Sequence, residues 1–123
     1  MIKTTIFGEQ LRKTLIDIYE NPIFKKEGDT GGGDKGTVHS YIPHYERLLE
    51  PYRENSTFME IGVWRGESMR MWNEYFINST VVGVEIKGKL IDEFCQDLDN
   101  VIMGDTTKPE IINKLDKWDG FDV

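Results

Sequence analysis

Residues 57–85 read TFMEIGVWRGESMRMWNEYFINSTVVGVE, and this stretch decides the fold. Thr57-Phe58-Met59-Glu60-Ile61 is a short β-prone run, and Glu67 to Phe76 places Met69, Met71, Trp72, Tyr75 and Phe76 at helical spacing. Thr80-Val81-Val82-Gly83-Val84-Glu85 is a second β-prone run, nearly all apolar, as expected of a strand covered on both faces. Between the first strand and its helix lies Glu60-Ile61-Gly62-Val63-Trp64-Arg65-Gly66, a glycine-bearing turn with a carboxylate at its start.

Moving toward the C-terminus, the alternation continues. Residues 88–98 predict a second helix and Asn100-Val101-Ile102-Met103 a third strand that ends at Gly104-Asp105. Pro109, suited to a first helical position, opens a helix over 109–117. Phe121-Asp122-Val123 has the character of the first residues of a fourth strand. Strand and helix alternating in this way predict right-handed crossovers in a parallel sheet with flanking helices, an α/β Rossmann-like layer.

Moving toward the N-terminus, residues 6–20 put Ile6, Leu11, Leu15, Ile18 and Tyr19 on one side of an expected amphipathic helix. Residues 25–37 hold five glycines among Lys, Asp and Glu and read as a loop. From Val38, the residues Tyr41, Ile42, Tyr45, Leu48, Leu49 and Tyr52 form one helical stripe that predicts core packing, with Pro43 tolerated only in the first turn. The expected organisation is an N-terminal helix and glycine-rich loop over 1–33, and a partial Rossmann-like domain over 34–123.

Bulk properties narrow the functional classes. A chain of 123 residues with 38% hydrophobic and 30% charged residues has the balance of one soluble domain, and no run approaches the roughly 20 apolar residues of a spanning helix. The N-terminus lacks the apolar core of a signal peptide, so the expected address is the cytoplasm, with no membrane partner. The net charge of −7 and pI near 4.8 argue against a nucleic-acid partner and for a small molecule. The single Cys95 has no partner for an intrachain disulfide and reads as a small buried hydrophobe.

In parallel α/β sheets, ligands bind beyond the carboxyl ends of the strands. Here every predicted strand ends on an acid or a glycine: Glu60 and Gly62, then Glu85, then Gly104 and Asp105. A dinucleotide turn would show G-x-G-x-x-G with a pyrophosphate on the helix N-terminus. The carboxylate of Glu60 would repel that group and suits a cationic one, which disfavours a NAD-dependent oxidoreductase. Glu85 stands 19 residues after Gly66, close to where a Rossmann acid accepts from both hydroxyls of a ribose. Asp105 would then flank the base and accept from its exocyclic amine. Taken singly, each acid also reads as a solvated loop charge.

These residues carry a resemblance. The run FMEIGVWRGESMRMWNEYF followed by VVGVEI resembles motifs I and II of class I S-adenosylmethionine (SAM)-dependent methyltransferases, and GDTTKPE resembles the segment holding motif III. DKGTVHSYIPHYERLLEPYR upstream, with its DKG-x-x-H-x-Y pattern, is similar to the lead-in of the macrocin and mycinamicin O-methyltransferases and of the cephalosporin-hydroxylase-like group. The resemblance covers residues 34–123 and implies the N-terminal, cofactor-binding half of a class I methyltransferase fold. It implies that Glu60, Gly62 and Gly66 shape the pocket for the methionine moiety of SAM, that Glu85 holds the ribose and that Asp105 lies near the adenine. Ser68 would add a hydroxyl contact or cap its helix, and Lys35, His39 and Tyr41 would line a lid over the cofactor.

The implied activity is methyl transfer to a hydroxyl of a small molecule such as a sugar or macrolide-type natural product. The alternative is a catalytically inactive SAM-binding or assembly protein. In the family the strand beginning at Phe121-Asp122-Val123 runs on to an acidic loop with the catalytic centre and the ligands of a divalent metal such as Mg. Those ligands are not in this chain, and no catalytic residue is assigned. The expectation is a fragment of a longer protein, or a homo-oligomer that covers the open sheet edge.

Overall fold

A computed structural model describes residues 12–20 and 41–123. The glycine-rich loop over 25–37, the start of the expected first helix, Lys35 and His39 lie outside the described residues. The sheet is three parallel strands in the order β1 (Thr57–Ile61), β2 (Thr80–Glu85), β3 (Val101–Met103). Its register pairs Thr57 with Thr80, Ile61 with Val84 and Glu85 with Met103, so all three carboxyl ends emerge on one side. Among the described residues the helices that flank it are α1 (Leu15–Tyr19), α2 (Ile42–Leu49), α3 (Glu67–Tyr75), α4 (Gly88–Phe94) and α5 (Pro109–Leu115). This is the α/β Rossmann-like arrangement that the alternation predicts.

The expected fourth strand is present in its hydrogen bonds rather than as a full element. Val123 accepts from Met59 N at 3.0 Å and donates to Thr57 O at 3.4 Å, the pattern of a parallel ladder on the outer edge of β1. Asp122 Oδ2 also accepts from Thr57 N at 2.9 Å. The spatial order is therefore β3, β2, β1 and then residues 121–123, and the direction of winding reverses next to β1. That reversal is what opens a ligand crevice in this class of fold.

The core explains why the stretch 57–85 is decisive. Met69, Met71, Trp72, Tyr75 and Phe76 of and just after α3 are all buried, as the spacing predicts. Phe58 on β1 meets Phe76 at 4.6 Å and Trp72 at 5.3 Å between ring centroids, and Tyr45 on α2 packs edge-on against Trp72 at 5.7 Å. Each such ring removed from water contributes about 1.5–3 kcal/mol. Leu15, Ile18 and Tyr19 of α1 belong to the same core, so the first helix is an integral layer against α2 and α3.

Four local expectations need correction. The first helix does not run through residues 12–14: it starts after Thr14, whose hydroxyl accepts from Asp17 N while Asp17 accepts from Thr14 N, a capping box. The stripe on α2 is narrower than expected. Ile42 and Leu49 are buried, but Tyr41, Leu48 and Tyr52 are exposed, because α2 touches the body along a single seam and the chain tightens to a 3₁₀ turn over Glu50–Tyr52. Pro43 does sit in the first turn. The expected helix over 88–98 stops at Phe94, and the last helix at Leu115, which a 3₁₀ turn over Asp116–Trp118 follows.

Arg70 of α3 explains the early stop of α4. Its guanidinium donates to Asp97 Oδ1 at 2.7 Å and Oδ2 at 3.1 Å, to Phe94 O at 2.6 Å and to Arg65 O at 3.1 Å. One side chain thus ties the end of α4 to the turn after β1. The hydrogen bond from Arg70 holds the Asp97 carboxyl below the usual carboxylate range. A depressed carboxylate contributes stability above its unfolded-state pKa and loses it as pH falls through the folded value. Asp97→Asn should therefore cost under about 1 kcal/mol at neutral pH, since the pair is exposed. Thermal melts of variant and parent should converge as pH falls below about 4. Among the described residues no helix is long and apolar enough to cross a membrane.

Candidate functional site

The turn Gly62 to Gly66 runs from the carboxyl end of β1 to α3 through three left-handed residues, Gly62 (φ +87°), Trp64 (φ +56°) and Gly66 (φ +86°). A Cβ at Gly62 would meet nothing within 4 Å, whereas one at Gly66 would lie 2.7 Å from Leu98 Cδ1 and 3.0 Å from Arg70 Nη1. Gly62 thus faces open space and Gly66 faces packed protein. Beneath the turn, a Cβ at Gly83 would stand 2.5 Å from Val63 Cγ2, so that glycine lets the turn settle directly on β2. Cys95 closes the rear: its buried Sγ lies 3.8 Å from Trp64 O, and burial pushes the thiol pKa up.

Two cavities flank the Ile61–Gly62 ridge. The smaller, about 200 Å³, is lined by Gly62, Glu85, Ile86, Gly104, Asp105 and Thr106 among others. The larger, about 360 Å³, is lined by Tyr45, Leu49, Glu60, Trp72 and Val123 together with the end of β1. The three acids expected at successive strand ends are thus divided: Glu85 and Asp105 share one cavity, and Glu60 lines the other.

Each acid is held differently. Glu85 is 5% exposed, yet both of its oxygens are anchored: Oε2 accepts from Trp64 N at 2.7 Å and Oε1 from Lys87 N at 2.9 Å. A carboxylate has about four acceptor sites, so two backbone donors leave capacity for two more. Asp105 caps its own loop, Oδ1 accepting from Thr107 N at 2.9 Å and Thr107 Oγ1 at 2.7 Å. The Thr107 hydroxyl first, then its backbone N–H, holds the Asp105 carboxyl below its ordinary range, so it is ionised at neutral pH. Glu60 Oε1 accepts from the indole Nε1 of Trp72 at 3.3 Å.

The remaining expected residues fall around these. Ser68 is buried at the second position of α3 and does not cap it, because Gly66 occupies the N-cap. Tyr41 stacks edge-on against Tyr45 at 5.9 Å and so stands one ring away from the larger cavity. Sequence reasoning missed Trp64 and Lys87, which hold Glu85 through backbone amides that no side-chain pattern reveals. It also assigned Trp72 to the core without its bond to Glu60. Among the described residues no group of three or more His, Cys, Asp or Glu side chains is placed to hold a metal ion.

Comparison with known proteins bears on this geometry. No protein-family model matches the chain, and no solved structure matches it significantly. It is 30% identical over 97 residues to the demethylmacrocin O-methyltransferase of Streptomyces fradiae, and 32% identical over 98 residues to the mycinamicin VI 2''-O-methyltransferase of Micromonospora griseorubida. Each match covers 72% of this chain and 24% of the relative. It is 39% identical over 66 residues, 47% of this chain and 18% of the relative, to the 8-demethyl-8-alpha-L-rhamnosyl tetracenomycin-C 2'-O-methyltransferase of Streptomyces olivaceus. The matched region thus spans about a quarter or less of the length of these curated relatives. The resemblance to the macrocin and mycinamicin O-methyltransferase group, carried in the sequence by its motifs, is borne out.

Proposed function

From its homology to O-methyltransferases that tailor macrolides and polyketides, we propose that this chain is the SAM-binding half of a small-molecule O-methyltransferase acting on a sugar or macrolide-type hydroxyl. The observation that carries the reading is Glu85, buried beside Gly62 and Asp105 with both oxygens fixed by backbone amides and two acceptor sites unused. A ribose presents two vicinal hydroxyl donors, which matches that spare capacity.

The residues present fit the cofactor on a second observation, the open space in front of Gly62, where any side chain would stand in the way of a ligand. In this reading Glu85 accepts from the ribose and the second oxygen of Asp105 accepts from the adenine amine. Across the ridge, Glu60, Gly62 and the turn closed by Gly66 receive the methionine moiety. Glu60 there places a negative charge near the ligand's ammonium and sulfonium, an interaction strengthened by partial burial. The bound cofactor supplies an electrophilic methyl group. What this chain contributes is alignment and exclusion of water, with Trp72 fixing Glu60 and with Tyr45 and Tyr41 forming an aromatic wall beside it.

Calorimetry with SAM and S-adenosylhomocysteine on the intact chain tests the proposal. Binding is expected, and Glu85→Ala should weaken it at least about tenfold, since it removes hydrogen bonds to a charged acceptor worth about 1.5–3 kcal/mol each. A folded sample that binds neither ligand, or a Glu85→Ala variant that binds as the parent does, would overturn it.

A further inference from the structure

We infer that Trp64 and Lys87 are positioning residues that fix Glu85 to receive a vicinal diol, and so set a preference for ligands that keep both ribose hydroxyls. The inference deepens the reading above and rests on it. Its starting point is a backbone outlier. Five non-glycine residues among those described have positive φ; four are Asn or Asp, which tolerate the left-handed region, and the fifth is Trp64. A bulky residue held there marks surroundings that over-determine its conformation.

Those surroundings are Glu85 and Lys87. The left-handed turn aims Trp64 N at Glu85 Oε2 at 2.7 Å, while Lys87 N reaches Oε1 at 2.9 Å. The same two residues also meet through their side chains, with Lys87 Nζ 5.0 Å from the centroid of the Trp64 ring. The loop after β1 and the loop after β2 are therefore joined twice, once below through the carboxylate and once above through the cation–π contact. Neither residue belongs to the core: Trp64 is 52% exposed and Lys87 is exposed. Their shared effect is to hold the two amide donors at a fixed separation. That leaves the remaining acceptor sites of Glu85 in a fixed arrangement, which a pair of adjacent hydroxyls can satisfy and a deoxygenated sugar cannot.

The test uses the full chain with adenosine and 2′,3′-dideoxyadenosine as probes, titrated by calorimetry against the parent, Lys87→Met, Trp64→Gly and Lys89→Met. Lys87→Met keeps chain length and removes the cation; Trp64→Gly keeps the left-handed backbone and its amide and removes the indole. Both should lower the preference for adenosine over the dideoxynucleoside by about two- to fivefold, leaving dideoxynucleoside affinity unchanged. In the ligand-free chain, hydrogen exchange at the amides of residues 64 and 87 should accelerate in both variants. Lys89→Met, which removes a neighbouring exposed charge, should behave as the parent. If both nucleosides weaken equally, or the preference is unchanged in both variants while the parent binds adenosine, the positioning role is overturned and the cofactor reading stands. A folded parent that binds neither nucleoside nor SAM overturns both.

Discussion

Arg53→Met should lower the stability of the chain by about 3 kcal/mol, read as a fall in the urea midpoint with an unchanged slope. Arg53 is 6% exposed, and two of its guanidinium nitrogens donate to backbone carbonyls. Nε donates to Tyr75 O at 2.9 Å, Nη2 donates to Lys13 O, and the planar group lies 4.4 Å from the centroid of the Tyr75 ring. Methionine replaces the stem but leaves two carbonyls without that donor, and Lys13, two residues before α1, is no longer tied to the end of α3. The phenol of Tyr75 gives an independent readout. Burial, aided by Glu50, pushes it up to about 12, and the Arg53 charge opposes that rise. Because the folded value lies above the unfolded one, this group's contribution is complete below about pH 10 and is lost as pH rises toward 12. In Arg53→Met the phenolate should form at still higher pH, measured by ultraviolet titration of the folded protein. A variant with parental stability would mean that the guanidinium costs as much to desolvate as its bonds return.

The contrast between readable and unreadable features runs through these same residues. The limits of β1 and β2 match the sequence expectation because each is an unbroken β-prone run whose neighbours, Gly62 and Ile86-Lys87, end it locally. The three acids at strand ends were equally legible, since type and spacing alone mark them. What the sequence withheld was their division between two cavities, which depends on the pleat: Glu60 turns toward α3 and Trp72, whereas Ile61 and Gly62 form the ridge. The end of α4 was misread because Cys95 and Leu98 continue an apolar spacing, while a residue 27 positions away, Arg70, draws Asp97 into a turn. The start of α1 was legible in the Thr14-x-x-Asp17 pair, but the apolar spacing upstream of it outweighed that signal. Long-range hydrogen bonds to backbone, like those that fix Glu85, carry no local signature, so the positioning residues emerge only once the loops are in place.

Gly62→Ala and Gly66→Ala should separate binding from folding, although both glycines have nearly the same backbone angle. Left-handed φ costs an L-residue about 1–2 kcal/mol, so each substitution should lose at least that in a melt. At Gly66 the new methyl also meets Leu98, Arg70 and Cys95, and overpacking adds about 1–3 kcal/mol. The Arg70 clamp between Arg65 O and Asp97 lies in the path of that methyl, so the loss there should reach about 3 kcal/mol in total. At Gly62 nothing crowds the methyl within 4 Å, and Gly62 lines both cavities. Gly62→Ala should therefore stay folded yet lose about tenfold or more in SAM affinity, while Gly66→Ala, assayed below its lowered melting point, should retain affinity within about threefold. The pair is decisive because backbone strain is common to both. If Gly62→Ala bound SAM as the parent does, the open space before Gly62 would not be where the ligand lies, and the assignment of the two cavities to one cofactor would fail with it.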